Sequence, residues 1–328
     1  MQEIEYSIWA FKTSVLLLIH NRKLPINNLE LEFVIKQILW QGTMASGLYN
    51  VVAKACSLPP MPLVAVQVMK AVMDPETSVS DLSKIISADS VLVSRILKVA
   101  NSAFYGCTRS IKTLQMALNV LGFKTIKNMV IAMSSKSMYS NTNAAEKFLW
   151  EHSLSTALSA QLLAKEVGLG QSEDVFICGL LHDIGKVILS DQNSSSYGHV
   201  LIDFIKSAES TIGFEKERFG FTHAEVGGAL CRSWKLPEEL EGGIKFHHSM
   251  ALDRLVELEP YMGKLSSVVA LADALSNKIH FGAKLPMQRF QKIVNPICSL
   301  FKIERETLQG YTQQLRELFN QEKALFKI

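Results

Sequence analysis

The sequence predicts an all-α protein, and three features of the chain lead to that fold class. In nearly every patterned segment the apolar residues recur with the 3.6-residue period of an amphipathic helix. The apolar–polar alternation that marks a half-buried strand is almost absent. Hydrophobic residues make up 48% of the 328 residues, so the chain can fill one large core or two moderate ones.

The first 55 residues are predicted to form an N-terminal helical arm, residues 1–55. Amphipathic stretches at about 8–19 and 29–39 favour helices that pack on the rest of the protein rather than on a membrane. The longest purely apolar run there is 15–19, far short of the ~20 residues that cross a bilayer. Two glutamates precede that run, whereas a secretory signal begins with basic residues. We therefore expect no membrane partner.

The next part of the chain is predicted to form a helical subdomain, residues 56–140. Three prolines in CSLPPMP should end the preceding arm. The segment SDLSKIISADSVLVSRILKVANSAFYG has two apolar stripes, with Asp89 placed to cap the second helix. In IKTLQMALNVLGFKTIKNMVIAM, Gly122 marks the end of one helix and the start of the next. The polar stretch SSKSMYSNTNAAEK, residues 134–147, is predicted to link this subdomain to a C-terminal helical subdomain, residues 141–328.

Charge and cysteine content narrow the classes of function. The 34 basic and 31 acidic residues give a formal net charge of +3, too small a surplus for a dedicated nucleic-acid binder. The helix pair at Gly122, with lysines nearby, faintly resembles a helix-turn-helix, although two packed helices are the commoner explanation. The cysteine count is odd, the spacings are wide and no CxxC pair occurs, as is typical of a reduced cytoplasmic protein. The cysteines are Cys56, Cys107, Cys178, Cys231 and Cys298.

The C-terminal subdomain carries five histidines and two aspartates on or beside apolar helical stripes. In chain order these residues are His152, His182, Asp183, His223, His247, His248 and Asp273. Residues on apolar stripes face a core, where charged groups either pair or coordinate metals. Cores of helical bundles are also where two-metal sites are built from facing helices.

Each of these residues has an ordinary explanation when taken alone. His152 could be a hydrogen-bonded core histidine, and the HD dipeptide could arise by chance. The HH dipeptide could be a solvated helix end, and Asp273 could cap a helix or pair with a lysine. Seven such side chains in one bundle would be costly to bury unless they satisfied one another. The order H…HD…H…HH…D therefore favours one common metal site.

At these residues the chain resembles the HD superfamily of metal-dependent phosphohydrolases. It resembles more closely the HDOD family, the HD-related output domain of bacterial signalling proteins. The matching stretches span roughly residues 50–280 and are LPPMP, SVLVSRILKVANSAFYG, LGFKTIKNMVIAMS, WEHSLSTALSAQLLA, GLLHDIGKVIL, FGFTHAEVGGALCRSWKLPEEL and IKFHHS. The resemblance implies an HD-like helical bundle with an additional N-terminal helical subdomain. HDOD proteins often lack some HD ligands and are commonly regarded as non-catalytic, whereas this chain keeps the whole set.

Carried over residue by residue, the resemblance implies a centre for two divalent transition metals. The first ion would be bound by His152, His182, Asp183 and Asp273. The second ion would be bound by a bridging Asp183 together with His223, His247 and His248. Nitrogen and oxygen ligands without thiolate favour iron, manganese or zinc and do not separate them. Two such ions can bind a bridging hydroxide, and the reaction class that this implies is phosphoester hydrolysis.

Lys186 has two interpretations. It lies three residues after Asp183 and four after His182, so it would share their helix face and could hold a phosphate oxygen. Alternatively, it is a solvated lysine just beyond Gly185.

The ligand order and the HDIGK form are also similar to those of the HD-GYP phosphodiesterases, which hydrolyse a cyclic dinucleotide and carry a lysine at this place. Their GYP signature is missing, because the chain reads SMALDRLVEL after His248.

Four further residues are not assigned a role in the centre. Cys178, one turn before His182, is interpreted as a small packing residue. His199 lies in NSSSYGHV, which is predicted to be a polar loop. His20, His199 and His280 fall outside the ligand pattern and are interpreted as surface or packing residues.

Two functions remain open on this basis. The first is a bacterial signal-transduction protein that keeps the metal site, with residues 56–140 as an interaction surface. Its partner would be a signalling protein or a phosphorylated small-molecule or nucleotide ligand. The second is a metal-dependent phosphohydrolase or phosphodiesterase acting on a nucleotide or cyclic dinucleotide, with Asp183 and Lys186 as catalytic residues. The family resemblance favours regulation, the complete ligand set favours catalysis, and the absent GYP signature weakens the catalytic interpretation.

Overall fold

Helices account for the regular secondary structure in the part of the chain that the structure, a computed structural model, describes. That part comprises residues 63–74, 76–101, 110–136, 139, 144–170, 173–192, 194–207, 210–281 and 285–326. The predicted arm and the CSLPPMP segment lie outside it, as do His20, Cys56 and Cys107. Within it there is no strand, which confirms the all-α prediction. None of the described helices is both long and apolar enough to cross a bilayer.

In the first group of helices, capping residues mark several of the helix ends. Ser78 and Asp81 form a capping box at the start of the second helix. Asp89 caps the third helix by accepting a hydrogen bond from the Leu92 N–H at 2.9 Å, as predicted. Gly122 separates the fourth and fifth helices, also as predicted, and its positive φ of 79° suits glycine. These helices are α1 (Leu63–Met73), α2 (Val79–Ser87), α3 (Ser90–Ala100), α4 (Leu114–Leu121) and α5 (Phe123–Ser135).

The first five helices bury one face each against their neighbours. Helix α1 packs on α2 and α5, while α3 packs on α4 and α5. Leu82 and Ile86 on α2 are fully buried, one turn apart, as are Ile96 and Ala100 on α3. The side chain of Asn101 joins this layer to the next segment through hydrogen bonds to both backbone groups of Ile111.

The remaining helices form the bundle that carries the candidate ligands. The two longest of its inner helices, α6 and α14, lie against each other, and α6 also contacts α7 and α16. Around α14 lie α7, α12, α13 and α15, while α8 packs on α11. The helices are α6 (Ala144–Leu163), α7 (Glu173–Leu181), α8 (Ile184–Gln192), α9 (Ser194–Ser207), α10 (Ile212–Phe219), α11 (His223–Ser233), α12 (Glu238–Lys245), α13 (Leu252–Leu258), α14 (Pro260–Phe281), α15 (Met287–Phe301) and α16 (Arg305–Phe326).

Two segments predicted as polar connections are partly helical in the described residues. The predicted linker 134–147 is shorter than expected, because α5 continues to Ser135 and α6 begins at Ala144. The segment NSSSYGHV was predicted as a loop, but α9 begins at Ser194 and takes in the rest of it. The reason lies downstream, where Tyr197, Leu201 and Phe204 make a buried stripe of helical spacing. Burial of that stripe outweighs the weak helix propensity of the serines.

Candidate metal centre

The structure brings the seven predicted ligands together in two adjacent groups. In each group one ligand atom from every residue lies within 4.8 Å of the corresponding atoms of the others. We call the first group site A, which consists of His152, His182 and Asp273. We call the second group site B, which consists of Asp183, His223, His247 and His248. Both are groups of side chains able to hold a metal ion.

The HD dipeptide occupies a turn between two helices. Helix α7 ends at Leu181 and α8 begins at Ile184, so the prediction that Lys186 shares one helix face with His182 and Asp183 is wrong. The backbone is held at this turn by the Lys186 N–H, which donates to the Asp183 carbonyl at 2.9 Å.

Gly185 allows this turn to reach the start of α11. A Cβ atom at Gly185 would lie 2.0 Å from the carbonyl oxygen of His223, closer than any real side chain can come. Only glycine therefore permits the two helix ends to approach so closely. As a result, Asp183 Oδ1 lies 3.1 Å from His223 Nε2 across the two ends.

Site A is built across the α6–α14 contact and the HD turn. His152 Nε2 on α6 lies 2.9 Å from Asp273 Oδ1 on α14, and His182 Nε2 lies 3.8 Å from the same oxygen. Asn277, one turn further along α14, donates to that oxygen at 2.8 Å. Asp273 lies inside α14, so the cap interpretation is wrong. All three ligands of site A are buried.

Site B joins the start of α11 to the residues after α12. His223 Nε2 lies 3.1 Å from His248 Nε2, so two imidazole nitrogens face each other at ligand-to-ligand distance. His247 is 1% exposed, which rules out the solvated helix end for that residue. His248 is only partly buried and forms the edge of the site.

The tautomers of two histidines suit metal binding. His182 Nδ1 donates to the Gly179 carbonyl at 2.8 Å, and His247 Nδ1 donates to the Ile244 carbonyl at 2.5 Å. With Nδ1 protonated, each ring directs the lone pair of Nε2 into the centre. Neither Nε2 has a hydrogen-bond partner among the described residues. Two buried nitrogens with available lone pairs fit divalent ions, so the residues present agree with the implied metal centre.

Asp183 lies between the two sites. Its Oδ2 is 3.5 Å from His182 Nε2 and 3.9 Å from His152 Nε2 in site A. Its Oδ1 faces His223 Nε2 in site B but makes no well-aligned hydrogen bond among the described residues. One carboxylate oxygen therefore faces each site, which is the arrangement that a bridging ligand requires.

Lys186 is directed into the protein. Its Nζ donates to Asp183 Oδ2 at 2.7 Å and lies 4.6 Å from the centroid of the Phe204 ring. The residue is 4% exposed, so the solvated-lysine interpretation is wrong. The ammonium group is thus held against the carboxylate oxygen that faces site A.

Two residues that support site B were not predicted. Glu215 on α10 is fully buried and accepts from His223 Nδ1 at 2.7 Å and from the His223 backbone N–H at 2.8 Å. Tyr197 on α9 donates its hydroxyl to Glu215 Oε1 at 2.5 Å. A carboxylate behind a ligating histidine fixes its tautomer and raises its basicity. The one sequence signal was the position of Glu215 eight residues before His223, in a charged segment that resembles a solvated helix face.

The charges of the buried carboxylates are set by their neighbours. Burial opposes ionisation of Asp183, but the neighbouring His182 ring and the Lys186 ammonium outweigh it and hold the pKa of Asp183 well below its usual range. Burial likewise opposes ionisation of Asp273, but the hydrogen bond to His152 and the nearby ring of His182 hold its pKa well below the usual range. Burial is also outweighed at Glu215, where His223 lowers the carboxyl pKa to about 2. These carboxylates are therefore ionised at neutral pH.

Two histidines of site B stay neutral at the same pH. Burial lowers the pKa of His247 to about 3, and the neighbouring rings of His182 and His223 act in the same direction. Burial together with the neighbouring rings of His247 and His223 holds the pKa of His248 well below its ordinary value. Ionised carboxylates and neutral imidazoles are the forms that bind divalent metals.

A cavity of about 700 Å³ reaches the edge of site B at His247 and His248. Its far wall is formed by α15, which contributes apolar side chains such as Ile293 together with Arg289 and Lys292. The cavity is large enough for a ligand of nucleotide size. The cavity meets the centre at His248, which is only partly buried, so the accessible side of the centre is site B.

The remaining predicted residues behave as packing or surface groups. Cys178 is fully buried, with its Sγ 3.6 Å from the Leu240 carbonyl, in agreement with a packing role. His199 is exposed on α9. The His280 ring packs against the rings of Phe148, His152 and Phe319.

The described helices, with paired histidine and aspartate groups at their centre, define a helical protein of the HD superfamily. The sequence model of the HDOD domain matches residues 58–250, and the chain belongs to the HDOD family. An uncharacterized protein of Treponema pallidum (strain Nichols) is 29% identical over 273 residues, which cover 81% of this chain and 50% of that protein. The chain thus spans about half the length of this curated relative.

Two solved structures share the fold. A crystal structure named "Putative phosphohydrolase" from Shewanella amazonensis SB2B has a TM-score of 0.63 and 26% sequence identity, and the match covers 86% of this chain and 97% of that one. A "Putative signal transduction protein" from Marinobacter aquaeolei VT8 has a TM-score of 0.70 and 18% identity, covering 87% of this chain and 65% of that one. The HD-like bundle with an added N-terminal helical subdomain is therefore the correct fold class.

Proposed function

We propose that this HDOD protein is a bacterial signal-transduction protein of the cytoplasm that retains a two-metal centre. The observation that carries the proposal is the convergence of seven buried or half-buried ligands that leave the Nε2 atoms of His182 and His247 unpartnered among the described residues. The metals are iron, manganese or zinc, because every candidate ligand atom is nitrogen or oxygen. The absence of disulfides at the described cysteines supports a reducing compartment.

The position of Lys186 favours regulation over catalysis. A lysine that holds a substrate phosphate must present its ammonium to the substrate, whereas this ammonium is engaged by Asp183 and Phe204 and is almost fully buried. The ligands of site A are buried as well. The metal centre would then act as a structural or ligand-sensing element. Residues 56–140 would provide the surface for a signalling partner.

A metal-dependent phosphohydrolase is the second candidate. It is supported by the cavity at His248, which gives a phosphorylated ligand of nucleotide size a way to reach site B. The 26% identical Shewanella protein named a phosphohydrolase points in the same direction. In this case two metal ions would supply an activated hydroxide, and Asp183 would hold both ions.

Elemental analysis of the purified protein tests the centre. We expect about two transition-metal ions per chain, and loss of both in the His182→Ala, Asp183→Ala double variant. His199→Ala, an exposed histidine on α9, serves as the control and should keep its metal. A wild-type chain without transition metal would contradict the proposal.

Phosphodiester assays then separate the two candidates. The metal-loaded protein is incubated with bis(p-nitrophenyl) phosphate and with a panel of cyclic dinucleotides. If the protein is a signal-transduction protein, we expect no turnover above that of the metal-free double variant. Turnover that is present in wild type and His199→Ala, and absent from the double variant, would establish the phosphohydrolase instead.

A further inference from the structure

We propose that the two sites bind divalent ions in a fixed order, site B before site A, because Lys186 acts as a built-in cation on the site A side of Asp183. The proposal rests on the two-metal centre proposed above. It adds an order of binding and names the residue that imposes it.

The charge of the centre limits how it can be filled. Asp183, Asp273 and Glu215 are buried carboxylates, and the Lys186 ammonium contacts one of them directly. The Lys186 ammonium therefore already offsets part of the negative charge that attracts divalent ions to the centre. Each further cation adds positive charge to a buried region, where uncompensated charge is costly. The two ions should therefore bind with different affinities.

Contacts to Asp183 determine which site is weaker. Lys186 Nζ donates to Oδ2 at 2.7 Å, so an ion in site A must share this oxygen with an ammonium group. Lys186 has little room to withdraw, since it is 4% exposed and its Nζ lies over the Phe204 ring. The other carboxylate of site A is also engaged, with Asp273 Oδ1 accepting from Asn277 at 2.8 Å.

The surroundings of site B favour a bound ion more than those of site A. The Asp183 oxygen that faces it, Oδ1, carries no well-aligned hydrogen bond among the described residues. Glu215 accepts from His223 Nδ1 at 2.7 Å and strengthens the ring as a ligand. His247 offers an Nε2 lone pair without a described partner. An ion in site B therefore meets a carboxylate oxygen free of the ammonium contact and an imidazole backed by negative charge.

Calorimetric titration of chelator-stripped protein with Mn²⁺ tests the order. Wild type should bind in two steps whose dissociation constants differ by about tenfold or more. His248→Ala should lose the tight step, and His152→Ala should lose the weak one. Equal affinities in wild type would overturn the order, as would loss of the tight step in His152→Ala.

Variants of Lys186 test the cause. Lys186→Met should strengthen the weak step by about 10–100-fold, the range typical of changes next to metal ligands. Lys186→Arg keeps the charge and should keep the two separated steps. Lys84→Met is the matched control, since Lys84 forms the same three-residue pair with Asp81 at 3.2 Å on the surface. An unchanged ratio of the two constants in folded Lys186→Met would refute the role of Lys186.

Circular dichroism reports whether each variant is folded. If Lys186→Met does not fold, the wild-type titration and the two histidine variants still decide the order of binding. A wild-type protein that binds no Mn²⁺, Zn²⁺ or Fe²⁺ would overturn the two-metal centre itself and this proposal with it. A protein that binds two ions equally would overturn only the order.

Discussion

Replacing Gly185 with alanine should separate the two helix ends that hold Asp183 beside His223. The added Cβ would lie 2.0 Å from the His223 carbonyl oxygen, 2.7 Å from the carbonyl carbon and 2.9 Å from Cα, whereas real Cβ contacts stay beyond 3.0 Å. The ends of α8 and α11 must therefore move apart by at least 1.0 Å, from 2.0 to 3.0 Å. Overpacking of this kind costs about 1–3 kcal/mol, and we expect the upper part of that range because backbone atoms cannot rotate away.

Urea unfolding of metal-free protein measures the stability, and elemental analysis of the protein as purified measures the metal content. Gly185→Ala should lower the free energy of unfolding by about 2–3 kcal/mol and reduce the metal content, because Asp183 moves away from site B. Gly198→Ala is the control, since a Cβ there meets nothing within 4 Å inside helix α9. That variant should be neutral or up to about 1 kcal/mol more stable. Wild-type stability and wild-type metal content in Gly185→Ala would refute the close approach of α8 to α11.

Three further changes test the surroundings of the centre and the N-terminal helices. Because the pKa of Glu215 is lowered to about 2 from an ordinary 4.5, its contribution to stability is present above pH 4.5 and is lost as the pH falls toward 2. Between pH 5 and pH 2, metal-free wild type should lose up to about 3 kcal/mol more than Glu215→Gln in urea unfolding, and equal losses would contradict this. Asn101→Ala removes the side-chain hydrogen bonds to Ile111 at 2.7 and 2.8 Å and should lower the free energy of unfolding by about 1–3 kcal/mol, measured by urea unfolding. Asn101→Asp keeps the acceptor and should lower it by less. Thr222→Ala removes the cap of α11 and should lower thermal stability by about 1 kcal/mol, with Thr222→Ser as the control that retains it.

Local chemistry made many helix boundaries predictable. Asp89 and Gly122 act within a few residues of their own positions, so the sequence contains all the information that their capping roles need. The first turns of α9 were missed for the opposite reason. Their serines indicate a loop, and the helix is decided by burial of Tyr197 and Leu201 against distant parts of the chain.

The same distinction applies to the centre. Ligating residue types in a specific order pointed to the metal groups, since imidazole and carboxylate are costly to bury without partners. Glu215 and Tyr197 could not be found in this way, because a glutamate and a tyrosine are ordinary residues until folding places them against His223. The burial of Lys186 was also hidden, since it depends on the Phe204 ring, which belongs to another helix.

The stability of the fold does not by itself account for the centre. Buried ionic clusters are weak contributors to stability, and apolar side chains of similar volume often serve a core equally well. This core instead holds the carboxylates of Asp183 and Asp273 and leaves the Nε2 atoms of His182 and His247 without described partners. Each unpartnered buried nitrogen costs about 1–3 kcal/mol. A bound divalent ion would remove that cost, and the arrangement therefore supports the proposed metal centre more than a role in packing.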